Sequence, residues 1–270
     1  MNGHDKILNS RYALITGASS GIGLQYATRL ARDYRYNLVL VSNQEQQLID
    51  LARLLHENYC VDAIPYYIDL TQNDAANQIF DFCTEQQLEI EILVNDAGFL
   101  IFQPFNTLPM GKIEAIMQLH IFTLTKLCRL FGEQMCRRQK GYILNMSSMS
   151  AWMAMPGIQL YNATKNYVLS FSKALWYEYK RCGVTVTAVC PGAVDTQLFD
   201  ISEKVRRPLR RMGILISPEK LVRKALRAMF RGKKQTIPGW INHFFILVIK
   251  HLPDWLVLAI QKRLKVFNPE

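Results

Sequence analysis

The sequence predicts a doubly wound α/β fold, a parallel sheet with helices on both faces, as a single domain followed by a C-terminal extension. Three observations carry that prediction. Apolar runs of strand length alternate with segments of helical period along most of the 270 residues. These runs lack polar alternation, as strands buried on both faces do. The first of them leads through a glycine-rich turn into a helix, so the chain opens on a βα unit whose repetition gives right-handed crossovers. Half of the residues are apolar and a fifth are charged, enough for a sizeable core.

In order, "YALITG" (12–17) reads as a short buried strand and "IGLQYATRLARDY" (22–34) as a helix. "NLVLVS" (37–42) is a second strand, followed by a helix with apolar positions Leu48, Leu51, Leu54 and Leu55. "AIPYYIDL" (63–70) is a third strand and a helix follows around 72–87; "EILVNDAG" (91–98) is the fourth strand. One long helix is expected over 111–138, then a fifth strand at "GYILNMSS" (141–148). The helix from Tyr161 closes on Gly183, and "VTVTAVCPG" (184–192) is the sixth strand. A helix near 217–231 and a short seventh strand at "KQTIPG" complete the pattern.

Six cysteines, at 60, 83, 128, 136, 182 and 190, show neither a CxxC pair nor metal-ligand spacing. Reduced, buried thiols are expected, which argues against a disulfide scaffold or a metal site. No long apolar run precedes the first strand, so no secretory leader is expected and a cytoplasmic location follows. Residues 1–200 carry 16 Lys+Arg against 18 Asp+Glu, whereas 201–270 carry 16 against 4. The excess positive charge of the chain therefore belongs to its last quarter. Either an anionic partner or a solvated basic face accounts for that asymmetry.

Two local patterns carry chemistry. In "TGASSGIG" (16–23) glycines stand at 17, 21 and 23. Glycine permits the tight turn and lets backbone amides approach a pyrophosphate, which the N-terminus of the following helix also attracts. In "YNATK", Tyr161 and Lys165 are four residues apart and share one helix face.

"TGASSGIG", "VNDAG" (94–98), Ser148, "YNATK" and "CPGAVDT" (190–196) occur in the order and spacing of the short-chain dehydrogenases/reductases. Over residues 10–240 the chain resembles that family, and the resemblance implies a Rossmann-fold oxidoreductase that uses a nicotinamide dinucleotide. It implies that Gly17, Ser19, Ser20, Gly21, Ile22 and Gly23 cradle the cofactor and that Asp69 and Leu70 flank its adenine. Asn95, Ala97 and Gly98 would hold the sheet and line the ribose, while Pro191, Gly192, Val194 and Thr196 would face the nicotinamide. Ser42 and Asn43 stand where an acidic residue selects NAD or a basic one NADP. No carboxylate there repels a 2′-phosphate, so NADP(H) is favoured; the arginine is missing too, and NAD(H) stays open.

Ketone reduction leaves negative charge on oxygen, which needs a proton donor and a hydrogen-bond partner. The resemblance makes Tyr161 the acid, Lys165 the cation that lowers its pKa and binds the cofactor, and Ser148 the partner of the substrate oxygen. Two residues depart from the pattern. His120 occupies the position of an asparagine that serves a proton relay, a role histidine can fill or, as a buried structural residue, leave vacant. Asp96 replaces a more usual asparagine, and a buried carboxylate there needs donors.

The apolar stretches holding Phe99, Trp152, Met153 and Met155 are expected to border the substrate, which favours a hydrophobic carbonyl compound. The alternative for each side chain is core packing. Residues 197–216 correspond to a substrate lid, with Arg206, Arg207, Arg210 and Arg211 close together. Residues 241–270 form an apolar and basic tail whose apolar runs are too short to span a bilayer. Residues 204–265 suit an anionic membrane surface, peripheral to an inner membrane, or else a subunit interface. The tail resembles that of bacterial members acting on lipid-like carbonyls. Nucleic acid is not an expected partner, because no recognition module accompanies the charge; a homodimer or homotetramer is. Long-chain 3-oxoacyl or 3-ketosphinganine substrates lead, with hydroxysteroids next. A nucleotide-binding regulatory or scaffold protein with little turnover is the reading from another class.

Overall fold

The computed structural model describes residues 11–195, 207–208 and 215–263. Seven parallel strands form one sheet in the order β3-β2-β1-β4-β5-β6-β7. They are β1 (Arg11–Thr16), β2 (Asn37–Ser42), β3 (Ala63–Tyr67), β4 (Glu89–Asn95), β5 (Gly141–Met146), β6 (Val184–Val189) and β7 (Gln235–Thr236). The alternation along β1 shows why both faces are covered. Ala13 and Ile15 enter the core beneath helices α1 (Gly21–Tyr34), α2 (Glu45–Tyr59) and α7 (Pro218–Phe230). Leu14 points the other way, into the core beneath α3 (Ala75–Glu85), α5 (Leu124–Arg137) and α6 (Gln159–Tyr179). Strand order reverses at β1, between β2 and β4, and a crevice opens beyond the carboxyl ends of the strands there.

The long helix expected over 111–138 is not continuous. Helix α4 (Met110–Met117) passes into a π-helical stretch, Gln118–Thr123, before α5 begins. The widened turn carries His120, which is buried and bonded to α6. Strands β3 and β4 end earlier than the apolar runs implied, because Ile68–Leu70 and Asp96–Gly98 leave the sheet to line the crevice. The C-terminal extension folds as α8 (Trp240–Lys250) and α9 (Asp254–Arg263). Asn242 and Ile246 anchor α8 as buried residues, and the Asn242 amide donates to Pro238 O at 2.5 Å. Among the described residues no helix is long and apolar enough to cross a membrane.

The described cysteines are all free thiols: Cys83, Cys128 and Cys190 are buried, and Cys136 and Cys182 partly so. Cys60 departs from the expectation of burial, standing exposed in the left-handed C-cap of α2. Thr196, most of the 197–216 segment, and Arg206, Arg210 and Arg211 lie outside the described residues. The flanks of that segment are joined by a parallel bridge between Val194 and Ile216, so both of its ends meet at the crevice.

Candidate active site

The crevice is a cleft of about 1000 Å³. One end is built by the turn after β1. Gly17 has φ +71, and a Cβ on Gly23 would lie 2.1 Å from Gly17 O, so the α1 N-terminus can pack on the turn only as glycine. Gly17, Ser19, Ser20, Gly21 and Ile22 line the cleft, whereas Gly23 sits behind them. Ser42, at the end of β2, donates to Ser19 Oγ at 2.8 Å, and Ser19 in turn donates to Gln44 Oε1 at 2.8 Å. Asn43, Gln44, Asp69 and Leu70 continue the wall. Gln44 gave no sequence signal of its own, since its role comes from position as the N-cap of α2. Asp69 is shaped by its own turn, accepting from the Thr71 N–H and hydroxyl at 2.9 and 2.8 Å.

Ala97 and Gly98 line the middle of the cleft, but Asn95 does not. Its side chain is buried inside the sheet, donating to Asn145 Oδ1 at 2.8 Å, while Asn145 donates to Ser172 Oγ at 2.9 Å. Asn95 therefore ties β4 through β5 to α6.

The far end gathers Ser148, Tyr161 and Lys165. Ser148 follows β5 in extended backbone, and its hydroxyl caps the turn Met149–Trp152 by accepting the Ser150 N–H at 3.1 Å. Lys165, one helical turn beyond Tyr161, is 6% exposed and donates to Met146 O at 2.8 Å. Its ammonium also sits 5.6 Å from the Tyr161 ring centroid. Burial, opposed by Asp96, draws Lys165 down to about 8. Tyr161 differs from the sequence expectation. Burial holds its phenol above the ordinary value, the Ser148 side chain pulls it down, and the Asp96 charge pushes it up. Lys165 lies over the ring face, and it is itself bonded to a carbonyl.

His120 lies just behind this group, outside the cleft lining. The Phe99 N–H donates to its Nε2 at 3.2 Å, so Nδ1 carries the ring hydrogen and donates to Thr164 Oγ1 at 2.9 Å. Thr164 passes the chain on to Tyr161 O at 3.0 Å. Burial and the Lys165 charge keep the imidazole neutral, well below its ordinary pKa. The ring thus braces α6 beneath Tyr161, with both nitrogens engaged by protein groups.

A family model for short chain dehydrogenases matches residues 11–206. The chain belongs to the short-chain dehydrogenase/reductase family. Its members are oxidoreductases acting between CH–OH and C=O, on a fold that binds NAD(P). The chain is 31% identical over 254 residues to a human very-long-chain 3-oxoacyl-CoA reductase, covering 92% of this chain and 78% of that one. It is 28% identical over 253 residues to a rat protein named inactive hydroxysteroid dehydrogenase-like protein 1, covering 91% of this chain and 73% of the relative. Among solved structures, a short-chain dehydrogenase from Sphingobium yanoikuyae in complex with NADPH superposes with a TM-score of 0.76 at 29% identity, covering 94% of this chain and 96% of that one.

The cleft fits the family's dinucleotide. Backbone of the glycine turn, at Gly17 and Gly21, borders the cleft directly, and hydroxyl and amide groups line the end beside β2. Pro191, Gly192 and Val194 close the far wall. Of the residues expected to border the substrate, Phe99 and Met153 line the cleft. Trp152 does not; it packs against the small core cluster of Ala151, Leu169, Ala188 and Cys190. Met155 lines a separate hollow of about 510 Å³ with Pro156, Gln159 and Asn162. Leu100, Met149 and Ile158, from the same two stretches, also line the cleft, and Leu119 supplies apolar wall from the π-helical stretch, which the sequence did not single out.

Proposed function

We propose that the protein reduces a ketone on a long-chain hydrophobic substrate of 3-oxoacyl or 3-ketosphinganine type to the secondary alcohol, with NADP(H) preferred. The observation that carries this reading is the convergence of Ser148, Tyr161 and Lys165 at one end of a cleft whose adjoining wall is Phe99, Leu100, Leu119, Met149, Met153 and Ile158. Long apolar chains suit such a wall, and methionine adapts to flexible ones. The likeness to the human very-long-chain 3-oxoacyl-CoA reductase supports the same substrate class.

The bound nicotinamide cofactor supplies the hydride. Tyr161 gives its hydroxyl proton to the oxygen of the reacting carbonyl, and Ser148 donates a hydrogen bond to the same atom. A phenol held above its ordinary pKa stays protonated at neutral pH, which suits the reducing direction. Lys165, held by Met146 O, sets the position of the Tyr161 ring. Ser19, Ser42, Asn43 and Gln44 offer hydroxyls and amides without a carboxylate, which favours a 2′-phosphate.

The C-terminal helices serve as a docking face for an anionic membrane. Phe244, Leu247 and Val248 share one exposed face of α8, and Trp255 and Leu258 stand exposed on α9. Sixteen basic residues against four acidic ones over 201–270 give that end its affinity for anionic headgroups.

Tyr161→Phe tests the chemistry. It is expected to lower kcat with a long-chain 3-oxoacyl-CoA by about 10²–10⁴-fold while NADPH binding persists. Binding of NADPH by both proteins with turnover by neither would favour the regulatory reading, which the rat relative named inactive keeps in view.

A further inference from the structure

Asp96 is a partly buried ionisable group of the cleft wall that the proposed chemistry does not use. It follows β4, and its backbone N–H is fixed by donation to Thr16 Oγ1 at 3.1 Å. Its carboxylate accepts the N–H of Gly23, which lies in the first turn of α1. That first turn holds no acidic residue, and Ser20 at the N-cap makes no side-chain hydrogen bond. Asp96 therefore supplies, from another strand, the anion that the α1 N-terminus attracts. The same helix end is where the fold receives a pyrophosphate.

Among the described residues, few groups face the carboxylate. Lys165 and Tyr161 approach from α6 and Tyr26 from α1, and Lys165 is the cation among them. Neutral His120 faces Lys165, not the carboxylate. Two anions at one helix terminus repel each other.

Resting on the family's use of a dinucleotide, we propose that Asp96 is a positioning residue that ties cofactor binding to uptake of a proton. In the empty cleft its carboxylate holds the α1 N-terminus and Lys165 in place. When the pyrophosphate arrives, Asp96 takes a proton from solvent and yields the helix end. The carboxyl is already poised for this, since burial pushes it up to about 7 against the pull of Lys165 and Gly23.

The sign follows from linkage. A bound anion raises the pKa of Asp96 further, so the complex holds a proton that the free protein has lost. NADPH affinity is then highest below about pH 7 and falls above it, by up to about tenfold per pH unit. Lys165 would also gain proton affinity near an anion, so the decisive comparison is made without it. NADPH titrations of wild type, Lys165→Met and Lys165→Met/Asp96→Asn between pH 6 and 9, followed by nucleotide fluorescence, give the profiles. Calorimetry in two buffers of different ionisation enthalpy gives the proton count. The expected result is a pH-dependent Kd and net proton uptake in wild type. Both persist in Lys165→Met, shifted to higher pH by loss of the cation, and vanish in the double variant. Asparagine matches the shape of aspartate, and single Asp96→Asn, checked by thermal denaturation, confirms that folding is kept. Equal pH profiles in Lys165→Met and the double variant would overturn the inference while leaving the cofactor reading intact. Absence of NADPH and NADH binding at every pH would overturn both.

Discussion

The cleft and the C-terminal helices break the ordinary partition of residues in opposite directions. The cleft buries ionisable groups: Lys165 and His120 are 6% and 2% exposed, and Asp96 lies against Lys165. Helices α8 and α9 expose apolar ones, with Phe244 63% and Trp255 69% exposed. Each departure costs stability when taken alone. Each is compensated by a different kind of partner. In the cleft the compensation is internal, through bonds to Met146 O, Thr164, the Phe99 amide and the Gly23 amide. On the extension none of the described residues covers Phe244, Leu247 and Val248, so the compensation proposed for them is an external lipid surface. Local departures from the packing rules mark the places where function resides.

Predictions follow that comparison from its strongest lever to its weakest. Gly23→Ala strikes the cleft where no side chain can yield, because the clash is with Gly17 O. It should cost on the order of 3 kcal/mol of stability and abolish dinucleotide binding, read by thermal denaturation and fluorescence titration. An unchanged Tm would show that the turn can open. On the extension, Phe244→Asp with Leu247→Asp should lower partition onto phosphatidylserine-containing vesicles by at least about tenfold per residue, since each buried apolar side chain is worth roughly 1.5–3 kcal/mol. The Tm should not move, as both side chains are exposed. Unchanged sedimentation with vesicles would break the comparison, and a change in oligomeric state instead would assign the face to a second copy of the chain.

Asn43→Asp, at an exposed position beside β2, should weaken NADPH relative to NADH by about tenfold, or ~1.4 kcal/mol. No change in that ratio would move the 2′-phosphate elsewhere. The smallest effect concerns the free protein. Asp96 keeps a proton up to about pH 7, whereas the unfolded carboxyl loses it near 3.8. Between those values the folded state binds the extra proton, so this contribution is complete below 3.8 and is lost as pH rises to about 7. Asp96→Asn should flatten that part of the stability profile, by about 2 kcal/mol because the cleft admits water.

Much of the fold was legible because buried parallel strands announce themselves. The run "NLVLVS" matches β2 residue for residue, since both faces of it are buried. Legibility failed where long-range contacts decide. The π-helical stretch at Gln118–Thr123 interrupts a helix whose apolar period is unbroken, and within it His120 bonds to Thr164 on another helix. Strand ends were read too long because apolar residues such as Ile68 and Leu70 continue beyond the sheet into the cleft wall. At the site, the glycines and the Ser148, Tyr161 and Lys165 set were readable from motif spacing. Gln44 and Leu119 were not, since they reach the cleft by tertiary placement. Trp152 shows the converse: an apolar residue in the right stretch whose side chain turns into a core cluster. The donor for Asp96 was anticipated as a need, and the Gly23 amide meets it.

The central claim is reduction of a long-chain ketone in this cleft. Its most direct test is NADPH oxidation by the purified protein with 3-oxoacyl-CoA substrates from short to very long acyl chains. The account predicts turnover whose kcat/KM climbs with chain length, by up to about fourfold for each methylene buried against the apolar wall. NADPH binding without oxidation at any chain length would contradict it.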